Sequence, residues 1–289
     1  MPSPYTLPDS ELESLLQDDS PWGDATTWGL DINGSAGRME FRARHAQVAC
    51  CTEEAARMGA LRGLRLCGPC VASGTTVEAG SLLLVLEGRA GDLHRVWKPA
   101  QTLMEYAAGI ASATSEMLAA GRLGNPRISL ACTRKHLPGT KDWAVKAILC
   151  GGATPHRLGI SDTLLLFAEH RAFLGDIPAP DAVARLKRAW PERQVVVEVD
   201  GENEALRWMD AGADVIQLEK CPPEVVTRVV NRAVGMLRAP LVAVAGGVNQ
   251  GNAAAYARTG ARLLVSSAPY NAPPRDVAVS ITATQATGM

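Results

Sequence analysis

The second half of this chain has a rhythm that leaves few folds open to it. Six short apolar runs, at 128–132, 164–167, 195–199, 214–218, 241–245 and 263–266, alternate with amphipathic stretches near 141–149, 180–189, 202–211, 222–236 and 250–258. Runs of four or five apolar residues fit strands buried on both faces, and strands that alternate with helices pair in parallel. Repeated βα units of this spacing imply a sheet closed or nearly closed into an α/β barrel. Six recognisable strands, where a complete barrel has about eight, predict an incomplete barrel.

Each run ends on chemistry. Arg134-Lys135, Glu169-His170, Glu198 and Asp200, Glu219-Lys220, Gly246-Gly247 and Ser266-Ser267 stand at or just past C-terminal strand ends, the catalytic face of α/β barrels. The stretch from Cys132 to Gly159 is the most basic. It holds Arg134, Lys135, His136, Lys141, Lys146, His156 and Arg157 against one acid, Asp142, in a chain whose formal charge is only −1. So much local cation is either a solvated basic face or a site for an anionic ligand. Arg134 and Lys135 directly follow an apolar strand, where a charge is costly unless something satisfies it, which favours the ligand. Gly246-Gly247 ahead of helix-forming Asn249–Ala257, with Ser266-Ser267 after the next strand, suits a phosphate, because glycines let backbone N–H groups approach it; a simple tight turn is the alternative. Glu198, Asp200 and Glu219 could hold Mg²⁺ on a pyrophosphate, steady a developing positive charge, or form salt bridges to Arg134 or Lys135.

The first hundred residues read differently. Asp9–Asp19 has the Leu12, Leu15, Leu16 face of a short helix. From Gly37 the period is two, with Met39, Phe41 and Ala43 alternating with Glu40, Arg42 and Arg44. A helix from Thr52 to about Leu61 and strands at 75–77 and 82–86 follow. This predicts an α/β sandwich domain. Residues 96–121 are helix-rich, with Pro99 placed near a first turn.

Composition excludes some classes. The 289 residues, 47% hydrophobic and 20% charged, suit one large or two moderate globular domains. Near-neutral charge, three Phe and four Tyr argue against a nucleic-acid surface, which needs distributed cations. No apolar run approaches the roughly 20 residues that span a bilayer, and Met1-Pro2-Ser3-Pro4 followed by acids lacks the order of a signal peptide. A cytoplasmic protein is the expectation. Seven scattered cysteines fit reduced thiols. Cys67-Gly68-Pro69-Cys70 matches a redox spacing, but turn-forming sequence follows it where that chemistry needs a helix.

Together these residues resemble a known family. Thr133-Arg134-Lys135 with Pro138-Gly139, Cys150-Gly151-Gly152 and His156-Arg157-Leu158-Gly159 are similar to quinolinate phosphoribosyltransferase, also called nicotinate-nucleotide pyrophosphorylase (carboxylating). The resemblance extends through Gly23-Asp24-Ala25-Thr26-Thr27, Gly109-Ile110-Ala111, Glu198-Val199-Asp200 and Gly246-Gly247, so it covers nearly the whole chain. It is strongest to the family's ModD branch, pyrophosphorylase-like proteins linked by name to molybdenum transport, through Lys98-Pro99-Ala100-Gln101-Thr102-Leu103 and Phe167-Ala168-Glu169-His170-Arg171.

The resemblance implies an N-terminal α/β sandwich (1–104, completed by 270–289), an incomplete six- or seven-stranded α/β barrel (105–269), and a homodimer with shared active sites. It implies NAD-biosynthetic chemistry: quinolinate and phosphoribosyl pyrophosphate, with Mg²⁺, give nicotinate mononucleotide, pyrophosphate and carbon dioxide. Arg134, His156 and Arg157 would bind the pyridine dicarboxylate; Lys135, Glu198 and Glu219 the ribosyl pyrophosphate and its metal; Gly246 and Gly247 the 5′-phosphate. The chain departs from the family pattern at several positions. Lys98 stands where an arginine reaches in from the neighbouring subunit, and Phe167 where a lysine binds substrate. Glu219 replaces an aspartate, Ala245 a serine and Ser267 a phosphate-site glycine. Phe167 removes one cation from the pocket and adds an apolar wall. The substitutions at Lys98, Phe167 and Ser267 also motivate a second reading, a non-catalytic anion binder or accessory factor in molybdate handling.

Overall fold

A computed structural model of the chain describes residues 5–284. Met1–Pro4, on which the signal-peptide reading turned, and the tail from 285 lie outside the described residues. In chain order the elements of the first half are α1 (Asp9–Asp19), α2 (Ala25–Gly29), β1 (Ala36–Ala43), β2 (Gln47–Val48), α3 (Thr52–Leu61), β3 (Arg65–Cys70), β4 (Thr76–Val77), β5 (Leu82–Arg89) and α4 (Ala90–Gly124). Then come β6 (Ser129–Cys132), α5 (Lys141–Cys150), β7 (Thr154–Pro155), β8 (Leu164–Leu166), α6 (Ala168–Arg171), α7 (Ala179–Ala189), β9 (Val195–Val199) and α8 (Glu202–Asp210). The chain closes with β10 (Val215–Glu219), α9 (Pro223–Val234), β11 (Leu241–Ala245), α10 (Ala253–Arg258), β12 (Leu263–Ser266) and β13 (Val277–Ala283). Two compact units result: Met1–Ser115 with Leu137–Gly151 and Asn271–Met289, and Glu116–His136 with Gly152–Tyr270.

The first unit is built on a four-stranded antiparallel sheet, ordered β13-β1-β5-β3. The alternation read in β1 is what seats it. Met39, Phe41 and Ala43 are buried, while Arg38, Glu40 and Arg42 form a ladder of ion pairs on the other face with Glu87. One expectation is corrected here. The helix expected from about residue 96 starts at Ala90, so Pro99 lies inside it rather than near its first turn. An internal proline costs about 3 kcal/mol, and burial of Leu93, Val96, Ala100, Leu103 and Met104 on the same helix offsets it. The Cys67–Cys70 spacing lies on β3, an edge strand, which is where a proline such as Pro69 is tolerated. Arg38 Nη1 donates to Cys67 Sγ at 3.5 Å, burial raises both thiol pKa values, and all seven cysteines are free.

The second unit is a seven-stranded parallel half-barrel, ordered β7-β6-β12-β11-β10-β9-β8. The sequence shows six of these strands. The seventh, β7, has two residues, one of them Pro155, and is too short to register as an apolar run. Leu165, Val196, Val215, Ala243, Ala245 and Val265 pack into one cluster lined by Phe167, Leu241 and Leu263. Among the described residues no helix is long and apolar enough to cross a membrane.

Candidate active site

Strand geometry selects which side chains can share a site. Successive residues of a strand face opposite sides, so every second residue continues the face that carries the apolar cluster. From Leu165 that face continues to Phe167, from Val196 to Glu198, from Val215 through Gln217 to Glu219, and from Val265 to Ser267, while Ala245 is the last residue of β11 on it. On the far side of the sheet the register Val265↔Ala131 and Ala131↔Thr154 carries it to Thr133 and His156. Aliphatic residues fill this face lower down, and polar and aromatic groups replace them at the C-terminal strand ends.

Arg157 is the unusual cation. It is 8% exposed, its guanidinium sits 5.3 Å from the Phe167 ring centre, and no carboxylate lies within salt-bridge distance among the described residues. Burial first and Arg134 second push its pKa down. Burying a charge without a partner is costly, and an anionic ligand would offset that cost. Arg134 and Lys135, expected to be costly buried charges, are exposed beyond the end of β6. His156 N donates to Cys132 O at 2.8 Å, which fixes the residue beside β6. Burial and then Arg157 lower the imidazole pKa, although Gln217 lies close enough to oppose this in part; the ring is therefore neutral at neutral pH. Phe167 stacks on His170 at 5.8 Å and 16°.

The acids form a linked pair. Burial raises the Glu198 pKa; the Gln217 hydrogen bond opposes it, Glu219 and Glu169 add to it, and Lys135 counters. Gln217 Nε2 donates to Glu198 Oε2 at 2.6 Å, while Gln217 Oε1 is buried with no partner among the described residues. Asp200 is exposed past the strand. Among the described residues no three His, Cys, Asp or Glu side chains cluster as a metal cage. Two carboxylates are a hard, oxygen-only donor set. That suits Mg²⁺ held largely by phosphate oxygens, the usual arrangement for this ion, and the residues present fit it in that form.

Gly246 and Gly247 have φ of 80° and 83°, which side chains rarely tolerate. A Cβ on Gly246 would lie 2.6 Å from Glu219 Oε1, whereas one on Gly247 would meet nothing within 4 Å. There is open space over the second glycine. The helix expected from Asn249 begins only at Ala253; Asn249 and Asn252 instead donate their amides to Gly247 O at 3.1 and 3.0 Å. Ser266 faces away from the cluster. Its hydroxyl donates to Val248 O at 2.6 Å and accepts from Ala268 N at 3.0 Å, so it is committed to the fold.

Not every candidate belongs to this unit. Lys98 lies on α4 in the first unit, exposed, donating to Gln101 Oε1 at 3.2 Å. Lys146, grouped by sequence with the site cations, is 1% exposed in the first unit and ion-paired to Glu54. Lys141 is an exposed residue of the same unit. Sequence reasoning missed Gln217, whose signal is a polar residue in mid-strand among Val215, Ile216 and Leu218. It also missed Arg171, whose Nη1 donates to Glu198 O at 2.6 Å.

Comparison with known proteins agrees with the resemblance read from the motifs. The profile of the quinolinate phosphoribosyl transferase N-terminal domain matches residues 24–108, and that of the C-terminal domain matches residues 110–280. A Rhodobacter capsulatus protein that carries the name pyrophosphorylase ModD is 45% identical over 258 residues, covering 89% of this chain and 99% of that protein. One from Methanothermobacter thermautotrophicus, named for nicotinate-nucleotide pyrophosphorylase (carboxylating), is 32% identical over 194 residues, 66% of this chain and 69% of that protein. The crystal structure of NadC from Streptococcus pyogenes superposes with a TM-score of 0.89 at 23% identity, covering 98% of this chain and 100% of that one.

Proposed function

The chain belongs to the quinolinate phosphoribosyltransferase family, and from that premise we propose that it transfers a ribosyl 5-phosphate from phosphoribosyl pyrophosphate to a ring nitrogen of a planar, anionic heterocycle. The observation that carries the reading is Arg157, a buried cation without a carboxylate partner, in the same unit as the facing acids Glu198 and Glu219. Quinolinate is the reference substrate, and the Phe167 wall favours a ligand with fewer carboxylates or an apolar edge.

In the proposed reaction the ring nitrogen's lone pair forms the bond to C1′ while the C1′–O bond breaks and pyrophosphate leaves. With quinolinate the ring-to-carboxylate bond then gives up its electrons to the ring carbon, carbon dioxide departs, and that carbon takes a proton. Catalysis is positioning and electrostatics. Arg134 and Arg157 hold carboxylate, neutral His156 donates one hydrogen bond without adding charge, and Lys135 meets the pyrophosphate. The carboxyl groups of Glu198 and Glu219 face the positive charge that develops at the ribose. Mg²⁺, held through Glu198 and Glu219, would neutralise the leaving diphosphate. Lys98 of one protomer would serve the site of its partner in a homodimer, which sedimentation tests directly. A non-catalytic molybdate binder leaves the acids and their Gln217 tether without a role and is not favoured.

The test is turnover. Protein, Mg²⁺ and phosphoribosyl pyrophosphate with quinolinate should release pyrophosphate and carbon dioxide. Release with another heterocycle, but none with quinolinate, keeps the reaction class and replaces the substrate. No release with any heterocycle, together with calorimetric binding of molybdate and none of phosphoribosyl pyrophosphate, rejects the reading.

A further inference from the structure

Lys220 follows the last residue of β10 and has no part in the scheme above. Its φ is 54°, inside the left-handed region, which a residue carrying a Cβ enters only when its surroundings hold it there. What holds it is main chain: Lys220 N donates to Ala245 O at 2.8 Å and ties the end of β10 to the end of β11. The consequence is a change of direction. Glu219 continues the inner face, so a further extended residue would turn away from it; Lys220 instead lays its stem against the glycine pair. A Cβ on Gly246 would fall 2.6 Å from Lys220 Cγ. The side chain is 78% exposed, and its ammonium comes no closer to an acid than 3.9 Å from Glu219 Oε1. Beside it lies the open space over Gly247.

An underused cation, delivered by a strained backbone onto a glycine pair whose second member opens to empty space, is suited to a phosphate group. We propose that Lys220 binds the phosphate monoester of the co-substrate over Gly246-Gly247. The assignment rests on the phosphoribosyl reading above, and its ligand chemistry is a terminal phosphate dianion. The same co-substrate also carries a diphosphate, so the two sources must be separated.

Calorimetry with ribose 5-phosphate, which has only the monoester, and with inorganic pyrophosphate and Mg²⁺ separates them. Lys220→Gly removes the charge while relieving the left-handed backbone, and Lys220→Arg keeps the charge. Loss of one charge-assisted contact weakens binding by about ten- to a hundredfold. Lys220→Gly should lose ribose 5-phosphate affinity by that factor, hold pyrophosphate affinity within about twofold, and melt no lower than wild type, with Lys220→Arg restoring most of the loss. Unchanged ribose 5-phosphate binding in Lys220→Gly overturns the assignment. So does a loss confined to pyrophosphate, or an equal loss of both. If wild type binds neither ribose 5-phosphate nor phosphoribosyl pyrophosphate, the phosphoribosyl reading falls and the role of Lys220 falls with it.

Discussion

Two buried cations, one in each unit, have opposite surroundings. In the first unit Lys146 donates to both oxygens of Glu54 at 2.7 Å and to Glu53 at 3.3 Å, and Glu54 is itself 2% exposed. Burial alone would lower the Lys146 pKa, but Glu54 first, with Cys51 and Glu53, more than offsets it and the pKa rises. In the second unit Arg157 has an aromatic face and another arginine for neighbours; Asp162 and Glu198 act on it without a salt bridge, and burial with Arg134 outweighs them, so its pKa falls. The fold completes the first cation and leaves the second incomplete. That difference separates a cation paired within the fold from one left without a carboxylate partner, although both come from the same basic stretch of sequence.

The sharpest way to break the comparison is to remove each cation. Lys146→Ala strands a buried carboxylate, and breaking a buried pair costs about 3–5 kcal/mol. Denaturant titration should show that loss, and Lys146→Met with Glu54→Leu should recover most of it. Arg157→Ala should do the reverse. Stability should stay within about 1 kcal/mol of wild type or rise, because an unpaired buried charge is gone, while catalytic efficiency drops a hundredfold or more through loss of a bidentate contact. An Arg157→Ala protein that melts as low as Lys146→Ala would make both cations structural.

Phe167→Lys sharpens the comparison by adding a second cation to the side that lacks partners. One more charge-assisted hydrogen bond corresponds to roughly ten- to a hundredfold, and catalytic efficiency with quinolinate should rise by that order if the native ligand carries fewer carboxylates. If the substitution abolishes turnover that wild type shows plainly, Phe167 is not the missing cation position. The smallest effect concerns the first unit's acids. Burial and then Asp142 raise the Glu11 pKa to about 7. A carboxyl raised in the folded state contributes stability that is complete below its unfolded value of 4.5 and is lost as pH rises through about 7. Glu11→Gln should therefore flatten the decline in melting temperature between those values. An unchanged decline would assign it to other groups.

Much of this was legible in one dimension. The runs at 195–199, 241–245 and 263–266 match β9, β11 and β12 residue for residue, because a strand buried on both faces is apolar nearly throughout, with polar residues such as Glu198 and Ser266 only near its end. The alternation in β1 was equally plain. Weaker signals failed for physical reasons. β7 and β3 contain Pro155 and Pro69, which read as breaks, yet each lies on a sheet edge where a missing N–H costs little. Placing chemistry at strand ends picked out Glu198 and Glu219, and the basic stretch picked out Arg157, while Gln217 in mid-strand passed as part of an apolar run.

By itself the sequence determined the strand and helix rhythm, the parallel half-barrel and the face on which its chemistry gathers, because periodicity and burial are local properties repeated along the chain. It could not assign partners to charges. Lys146 lies eleven residues from Lys135 and looks like part of the same cationic cluster, but after His136 the chain enters the first unit and returns only at Gly152. There Glu54, more than ninety residues away in sequence, meets the ammonium. Whether a cation is satisfied depends on which carboxylate comes within about 4 Å of it. Electrostatics acts through space, so only the tertiary structure decided that Lys146 is paired within the fold and Arg157 is not.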